Sequence, residues 1–248
     1  MTDPRYCAII PTYDNPETLE GVVESVRPHV DEVLVVDDGS AEAARAVAAR
    51  VTEAGRAFLH QRPQNGGKGA AVKDGLRLAR ERGHTHALQI DADGQHDPSD
   101  IPRLLDASRN SPTALVLGEP LFDDTAPRSR LFGRKITTFW IGVECGRGVI
   151  GDGLCGFRVY PVEEALAADA RGDRMDFDPE VAVRMVWRGV PVVNVPTRVR
   201  YLAADEGAVS HFDMVWDNVA ISKMHSTLML TKIARGLMPW KRTKAPNP

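Results

Sequence analysis

Along the first half of the chain, apolar residues fall into short runs separated by stretches with helical spacing. Tyr6–Ile10 and Val33–Val36 predict buried strands, each bounded by turn-forming residues. Between them Pro16–Val26 predicts a helix with Asn15 as its N-cap and proline in its first turn. Alanine-rich Ala41–Glu53, entered at Ser40 and stopped by Gly55, predicts another. The pattern continues with a strand at Ala57–His60, a helix at Gly69–Arg82 and a strand at Ala87–Ile90, then a helix at Ile101–Ser108 and a strand at Ala114–Leu117. Such alternation predicts an α/β fold with a mostly parallel central sheet and helices on both faces. Open sheets of this kind bind ligands beyond the carboxyl ends of their strands. Here the early strands end in the polar turns PTYDN, DDGS and DADGQHD.

The second half is less regular. Arg130–Glu144 predicts an amphipathic helix, Cys155–Tyr160 a strand, Pro179–Arg188 a helix ending at Gly189, and Val190–Val195 a strand. Asp213–Leu237 predicts a long helix with Met224, Leu228, Ile233 and Leu237 at helical spacing. Trp216 and the methionines are expected in core packing and His225 as a packed helix residue. The closing TKAPNP is expected to fray.

Composition narrows the function classes. The 248 residues carry a formal net charge of −3, which excludes a generally basic nucleic-acid binder. Three cysteines are too few for a disulfide framework, so a reducing compartment is expected. The opening MTDPRYCAIIPTY lacks a signal-peptide core, and no stretch approaches the roughly eighteen apolar residues of a spanning helix, so a cytoplasmic location is expected. Two zones are locally basic: Arg128, Arg130, Arg134 and Lys135 in one, and Lys223, Lys232, Arg235, Lys241, Arg242 and Lys244 in the other, with no acid after Val219. Both adjoin apolar helical residues such as Phe139, Trp140, Leu228 and Ile233. That pairing leads us to expect peripheral attachment to the anionic cytosolic membrane face; a C-terminal helix packed on the sheet with its basic face in water is the alternative.

The chemistry concentrates at the strand ends. In DADGQHDP, Asp91 and Asp93 leave a buried strand one residue apart and can converge on a hard cation, Mg2+ or Mn2+, with Gln95 as a neutral oxygen donor. The simpler reading is an Asp-Gly turn. In VVDDGS, Asp38 can accept hydrogen bonds from a base N–H or ribose hydroxyl, or the segment can serve only as a helix-capping turn. QNGGKGAAVKDGL leads a glycine-rich turn into a helix, where backbone N–H groups and Lys68 favour phosphate; it matches neither a Walker A loop nor GxGxxG.

Taken together, IIPTYDN, VVDDGS, QNGGKGAAVKDGL and DADGQHDP resemble the inverting glycosyltransferases of family 2, which have the GT-A fold of nucleotide-diphosphosugar transferases. The resemblance covers about residues 6–200. With DGLCGFRVY, Asp152–Tyr160, it is most similar to the dolichol- and polyprenyl-phosphate glycosyltransferases, although Cys155 stands where those usually carry Ser or Thr. It implies a nucleotide-diphosphate sugar donor, a divalent metal and transfer without a covalent enzyme intermediate; the two basic zones beside apolar residues lead us to expect a lipid-linked or amphiphilic acceptor. By position the resemblance implies that Pro11, Thr12, Tyr13 and Asp38 line the nucleoside pocket with Lys68 nearby. Asp91, Asp93 and Gln95 would hold the metal and donor diphosphate, and Arg158 would face the phosphates or the acceptor.

MDFDPE offers Asp176 or Asp178 as a base for an acceptor hydroxyl, with helix capping as the alternative. An acceptor phosphate is already ionised and needs no base. Arg128, Arg134 and His211 are expected on the acceptor side. We expect a glycosyltransferase domain over 1–210 and a basic helical extension over 211–248. Two other functions fit less well: a nucleotidyltransferase would need a basic glycine-rich triphosphate loop in place of PTYDN, and a non-catalytic nucleotide-sugar-binding protein would not need Asp38, Asp91 and Asp93.

Overall fold

The computed structural model describes residues 3–53, 55–122, 128–200, 216–234 and 236. Seven strands form one sheet: β1 (Tyr6–Thr12), β2 (Glu32–Asp37), β3 (Phe58–Gln61), β4 (His86–Gln89), β5 (Leu115–Phe122), β6 (Arg158–Pro161) and β7 (Val192–Val199). Their spatial order is β3-β2-β1-β4-β6-β5-β7. All neighbours pair in parallel except β6, which runs antiparallel to both β4 and β5.

Strand residues alternate between two apolar layers, as a period of two requires. Ala8, Ile10, Val33, Val35, Leu88 and Val116 face a layer that includes Leu19 and Val23 of α1 (Leu19–Val26), Ala48 and Val51 of α2 (Glu42–Glu53), and Leu104 of α4 (Ile101–Asn110). Cys7, Ile9, Leu34, Val36, Leu115 and Leu117 face the other. That layer is closed by α3 (Lys68–Glu81), α5 (Arg128–Cys145), α6 (Val162–Ala167), α7 (Phe177–Trp187) and α8 (Trp216–Ala234). Gly75 lets α3 close onto the sheet, since a Cβ there would lie 2.5 Å from Ile9 Cγ2. Overpacking of that kind costs about 1–3 kcal/mol.

The predicted elements are present, with informative shifts. The first helix begins at Leu19 with Thr18 at its N-cap, so Asn15 is spent elsewhere: its Oδ1 accepts from Tyr13 N at 3.3 Å. The strand expected from Cys155 starts only at Arg158, where pairing with Gln89 of β4 and Leu117 of β5 begins. The helix expected from Pro179 begins at Phe177, which puts Asp178 inside its first turn rather than at its cap. α8 is part of the core, through Ile221, Met224 and Leu228. Trp216, expected in the core, is exposed, because its position on α8 shares the outward side with Val219. The side chain of Arg128, all of His211 and the TKAPNP tail lie outside the described residues.

Candidate active site

The carboxyl ends of β1, β2 and β4 lie side by side. Thr12 is in register with Asp37, and its carbonyl accepts from Asp38 N at 2.9 Å. Pro11 and Thr12 are buried there and Tyr13 is half-buried, so the PTY segment forms one wall of the sheet edge. Asp38, also buried, turns inward to the glycine-rich loop. Its Oδ1 accepts from Gly66 N at 3.0 Å and its Oδ2 from Gly67 N at 2.7 Å, while Arg62 pairs with Oδ1. Both oxygens expected to read a nucleoside are therefore already engaged in shaping the loop. Gly67 has φ of +100°, and a Cβ on it would collide with the Asp173 carbonyl, so a side chain is excluded on both counts.

That loop delivers Lys68 to the start of α3. Its Nζ lies 2.7 Å from Asp91 Oδ1 and 2.9 Å from Asp178 Oδ2. The directed hydrogen bond goes to Asp91 Oδ2 at 2.9 Å; Oδ1 is buried with a charge contact but no hydrogen-bond partner. Burial opposes ionisation of Asp91, but Lys68 and His96 more than offset it and hold the carboxyl well below the usual carboxylate range. Burial likewise opposes the Lys68 charge, and Asp178 and Asp91 more than offset it, raising the ammonium above the usual lysine range. Asp93 differs: burial and then the neighbouring Asp91 charge push its carboxyl up.

Asp178 is fixed from behind. Gln89 Nε2 donates to its Oδ1 at 3.2 Å, and Tyr160 Oη donates to Gln89 Oε1 at 2.9 Å. All three are buried. The segment carrying Asp178 is docked on α3, because Ala70 N donates to the Asp173 carbonyl at 2.9 Å. Gly156 completes the cluster: a Cβ there would collide with both Asp91 oxygens and stand 2.5 Å from Lys68 Nζ.

The DADGQHDP loop is both a turn and a site. Gly94 has φ of +70° and Gln95 N donates to Asp93 Oδ1 at 3.1 Å, as an Asp-Gly turn requires. The Gln95 carbonyl accepts from Arg200 N at 3.0 Å, and His96 bridges to Val199, so the loop is pinned to the end of β7. His96 Nε2 stands 3.9 Å from Asp91 Oδ2. Among the described residues no group of three or more His, Cys, Asp or Glu side chains is arranged to hold a metal ion. Asp91 and Asp93 nonetheless suit a hard divalent cation: one has a buried oxygen lacking a hydrogen-bond partner, and the pair carries mutual repulsion that a cation would relieve. Mg2+ and Mn2+ sites of this kind draw their remaining ligands from water and substrate phosphates.

Some expected residues stand elsewhere. Arg158 does not face the cleft. It is fully buried, donating from Nε to the Cys155 carbonyl at 2.9 Å, from Nη1 to the Asp178 carbonyl at 2.9 Å and from Nη2 to the Gly153 carbonyl at 3.1 Å. Its part is to hold the backbone that carries Gly156 and Asp178. Asp176 occupies the N-cap position of α7, where its Oδ1 accepts from Arg174 N at 3.1 Å. Arg134 pairs with Asp152 Oδ2 at 2.6 Å, bracing the loop that leads to Gly156. Sequence reasoning missed Gln89, Tyr160 and Gly156. The one visible signal was Gln89 itself, a polar residue in the otherwise apolar run ALQI.

Residues 7–150 match the family described as Glycosyl transferase family 2. The undecaprenyl-phosphate mannosyltransferase of Micrococcus luteus is 31% identical over 202 residues, spanning 77% of this chain and 82% of that protein. The polyprenol monophosphomannose synthase of Mycolicibacterium smegmatis is 32% identical over 206 residues, spanning 77% and 76%. Among solved structures, glucosyl-3-phosphoglycerate synthase from Mycobacterium tuberculosis superposes with a TM-score of 0.67 at 19% identity, over 96% of this chain and 80% of that one, a likeness of fold. On the match across residues 7–150 and these two relatives, the chain belongs to glycosyl transferase family 2.

Proposed function

We propose that this glycosyltransferase moves a sugar from a nucleotide-diphosphate donor onto the phosphate of a lipid-linked acceptor, with inversion and with a divalent metal. The observation that carries the acceptor reading is the state of Asp178. One of its oxygens is committed to Lys68 and the other to Gln89, so it is poorly placed to take a proton from a hydroxyl. A phosphate acceptor is largely ionised at neutral pH and needs no base. The two relatives above 30% identity are named for undecaprenyl phosphate and for a polyprenol monophosphate sugar, which supports the same class.

In this reading the acceptor phosphate oxygen bonds to the anomeric carbon as the bond from that carbon to the donor diphosphate breaks. The electron pair leaves with the diphosphate. Asp91 and Asp93, with Gln95 as a further oxygen, would hold Mg2+ or Mn2+, which offsets the charge of the departing diphosphate. Pro11, Thr12 and Tyr13 flank the nucleoside, and Asp38 keeps the glycine-rich loop in the shape that presents Lys68.

Incubating the protein with a panel of nucleotide sugars and polyprenyl phosphate, and weighing the products by mass spectrometry, tests the proposal. The expected products are a glycosyl polyprenyl phosphate and an equal amount of nucleoside diphosphate. Turnover only with soluble phosphate esters would reassign the acceptor to small polar molecules, and release of inorganic diphosphate would mean nucleotidyl transfer.

A further inference from the structure

Ten large hydrophobic side chains are exposed among the described residues, and nine of them lie on α5 and α8. On α5, Phe132, Ile136 and Phe139 follow helical spacing along one outward stripe, opposite the stripe that buries Ile141 and Cys145. On α8, Val219, Leu230 and Ile233 point outward, opposite Ile221, Met224 and Leu228. The two helices are joined as one surface. His225 Nδ1 lies 2.8 Å from Glu144 Oε1, and Lys232 Nζ donates to the Val143 and Glu144 carbonyls at 2.7 and 3.0 Å.

Two further features say what covers this surface. Three hydroxyls on the outer side of α8 are turned back on the helix: Ser222, Ser226 and Thr227 donate to the carbonyls of Asn218, Ser222 and Lys223 at 2.8, 2.9 and 2.9 Å. Hydroxyls satisfied in this way can enter an apolar medium without losing a partner. The charge is also one-sided. The only acids on the two helices, Glu144 and Asp217, are buried, whereas Lys135 and Lys223 are exposed. Two copies of such a face would bring like charges together, while an anionic bilayer complements both its apolar and its basic parts.

We propose that the joined outer face of α5 and α8 is a docking surface for an anionic phospholipid bilayer, lying in the interface without crossing it. No helix among the described residues is long and apolar enough to cross a membrane. The placement serves the site, since α5 packs Ile141 beside Gly153, in the segment that leads to Gly156 and the acidic cluster. The proposal deepens the lipid-acceptor reading, yet it concerns bulk phospholipid and is tested without any polyprenyl phosphate.

Flotation with phosphatidylglycerol vesicles and with phosphatidylcholine vesicles, both free of polyprenyl phosphate, tests it. Binding is expected only to the anionic vesicles, and it should weaken with salt. Each of Lys135→Gln and Lys223→Gln should lower the partition coefficient about fivefold. Phe139→Ser and Ile233→Ser should abolish flotation while leaving the circular dichroism spectrum and affinity for nucleoside diphosphate unchanged. Equal binding to neutral vesicles, or none to anionic vesicles at low salt, would overturn the proposal. So would a dimer in sedimentation velocity that Phe139→Ser dissociates, because the face would then belong to a second copy. Transfer to detergent-dispersed polyprenyl phosphate, measured on the same samples, separates failure of this surface from failure of the acceptor reading.

Discussion

Lys68 and Asp178 sit in the first turns of α3 and α7, and Nζ of one lies 2.9 Å from Oδ2 of the other. The same ammonium lies 2.7 Å from Asp91, so one cation spans two carboxylates delivered by separate loops. Each partner is held by its own device: the Lys68 loop by Asp38 under its glycines, the Asp91 loop by the Gln95 carbonyl against Arg200, and the Asp178 segment by the Asp173 carbonyl against Ala70. The site is assembled by a relay of such contacts, and its weak points can be named.

Removing the shared cation should cost stability in a defined pH window. The folded-state carboxyl of Asp91 is depressed, so its ionisation contributes stability above the unfolded value of about 4 and loses it as pH falls through the folded value. Lys68 is raised, so its contribution is present below the unfolded value of about 10 and fades as pH rises through the folded one. Lys68→Met should therefore lower stability by about 2–3 kcal/mol near neutrality, with the deficit shrinking below about pH 4. Denaturant melts at stepped pH would measure this; a pH-independent deficit would contradict the ion-pair account.

Gly156→Ala should separate activity from folding. The atoms its Cβ would strike, the Asp91 oxygens and Lys68 Nζ, are side-chain ends that can move. The melting temperature should stay near that of the parent chain while turnover falls by about a hundredfold, the scale on which ångström displacements act. A large loss of stability with normal turnover in the folded fraction would reverse this.

Arg158→Met should do the opposite. It strips donors from three buried carbonyls, at about 1–3 kcal/mol each when left unsatisfied. Thermal unfolding should drop steeply, while the KM for the nucleotide sugar in the remaining folded protein stays near its normal value. An unchanged melt with a raised KM would return Arg158 to the phosphates.

These contrasts mark what could be read from the chain. β1 and β2 were legible because their apolar runs are short, β-branched and closed by acidic turns, and β4 because its short run leads straight into DADGQHD. Asp91, Asp93 and Lys68 stood out because a strand end or a helix start fixes where such a residue goes. The Lys68–Asp178 contact was not legible, since it depends on how the loop before α7 docks on α3. Arg158 misled for a related reason: arginines are rarely fully buried, and only the antiparallel insertion of β6 between β4 and β5 takes this one into the core. Gly156 gave no signal of its own, because the side chains that exclude a Cβ come from elsewhere in the chain.

The central claim is that Asp91 and Asp93 form a divalent-metal site on which transfer depends. Its most direct test is turnover of the parent protein and of Asp93→Asn across a manganese titration in chelator-treated buffer, with circular dichroism confirming that both are folded. The parent should fall to background without metal and recover fully as manganese is restored, and Asp93→Asn should recover little at any concentration. Full transfer by the chelated parent, or by Asp93→Asn at ordinary manganese, would contradict the account.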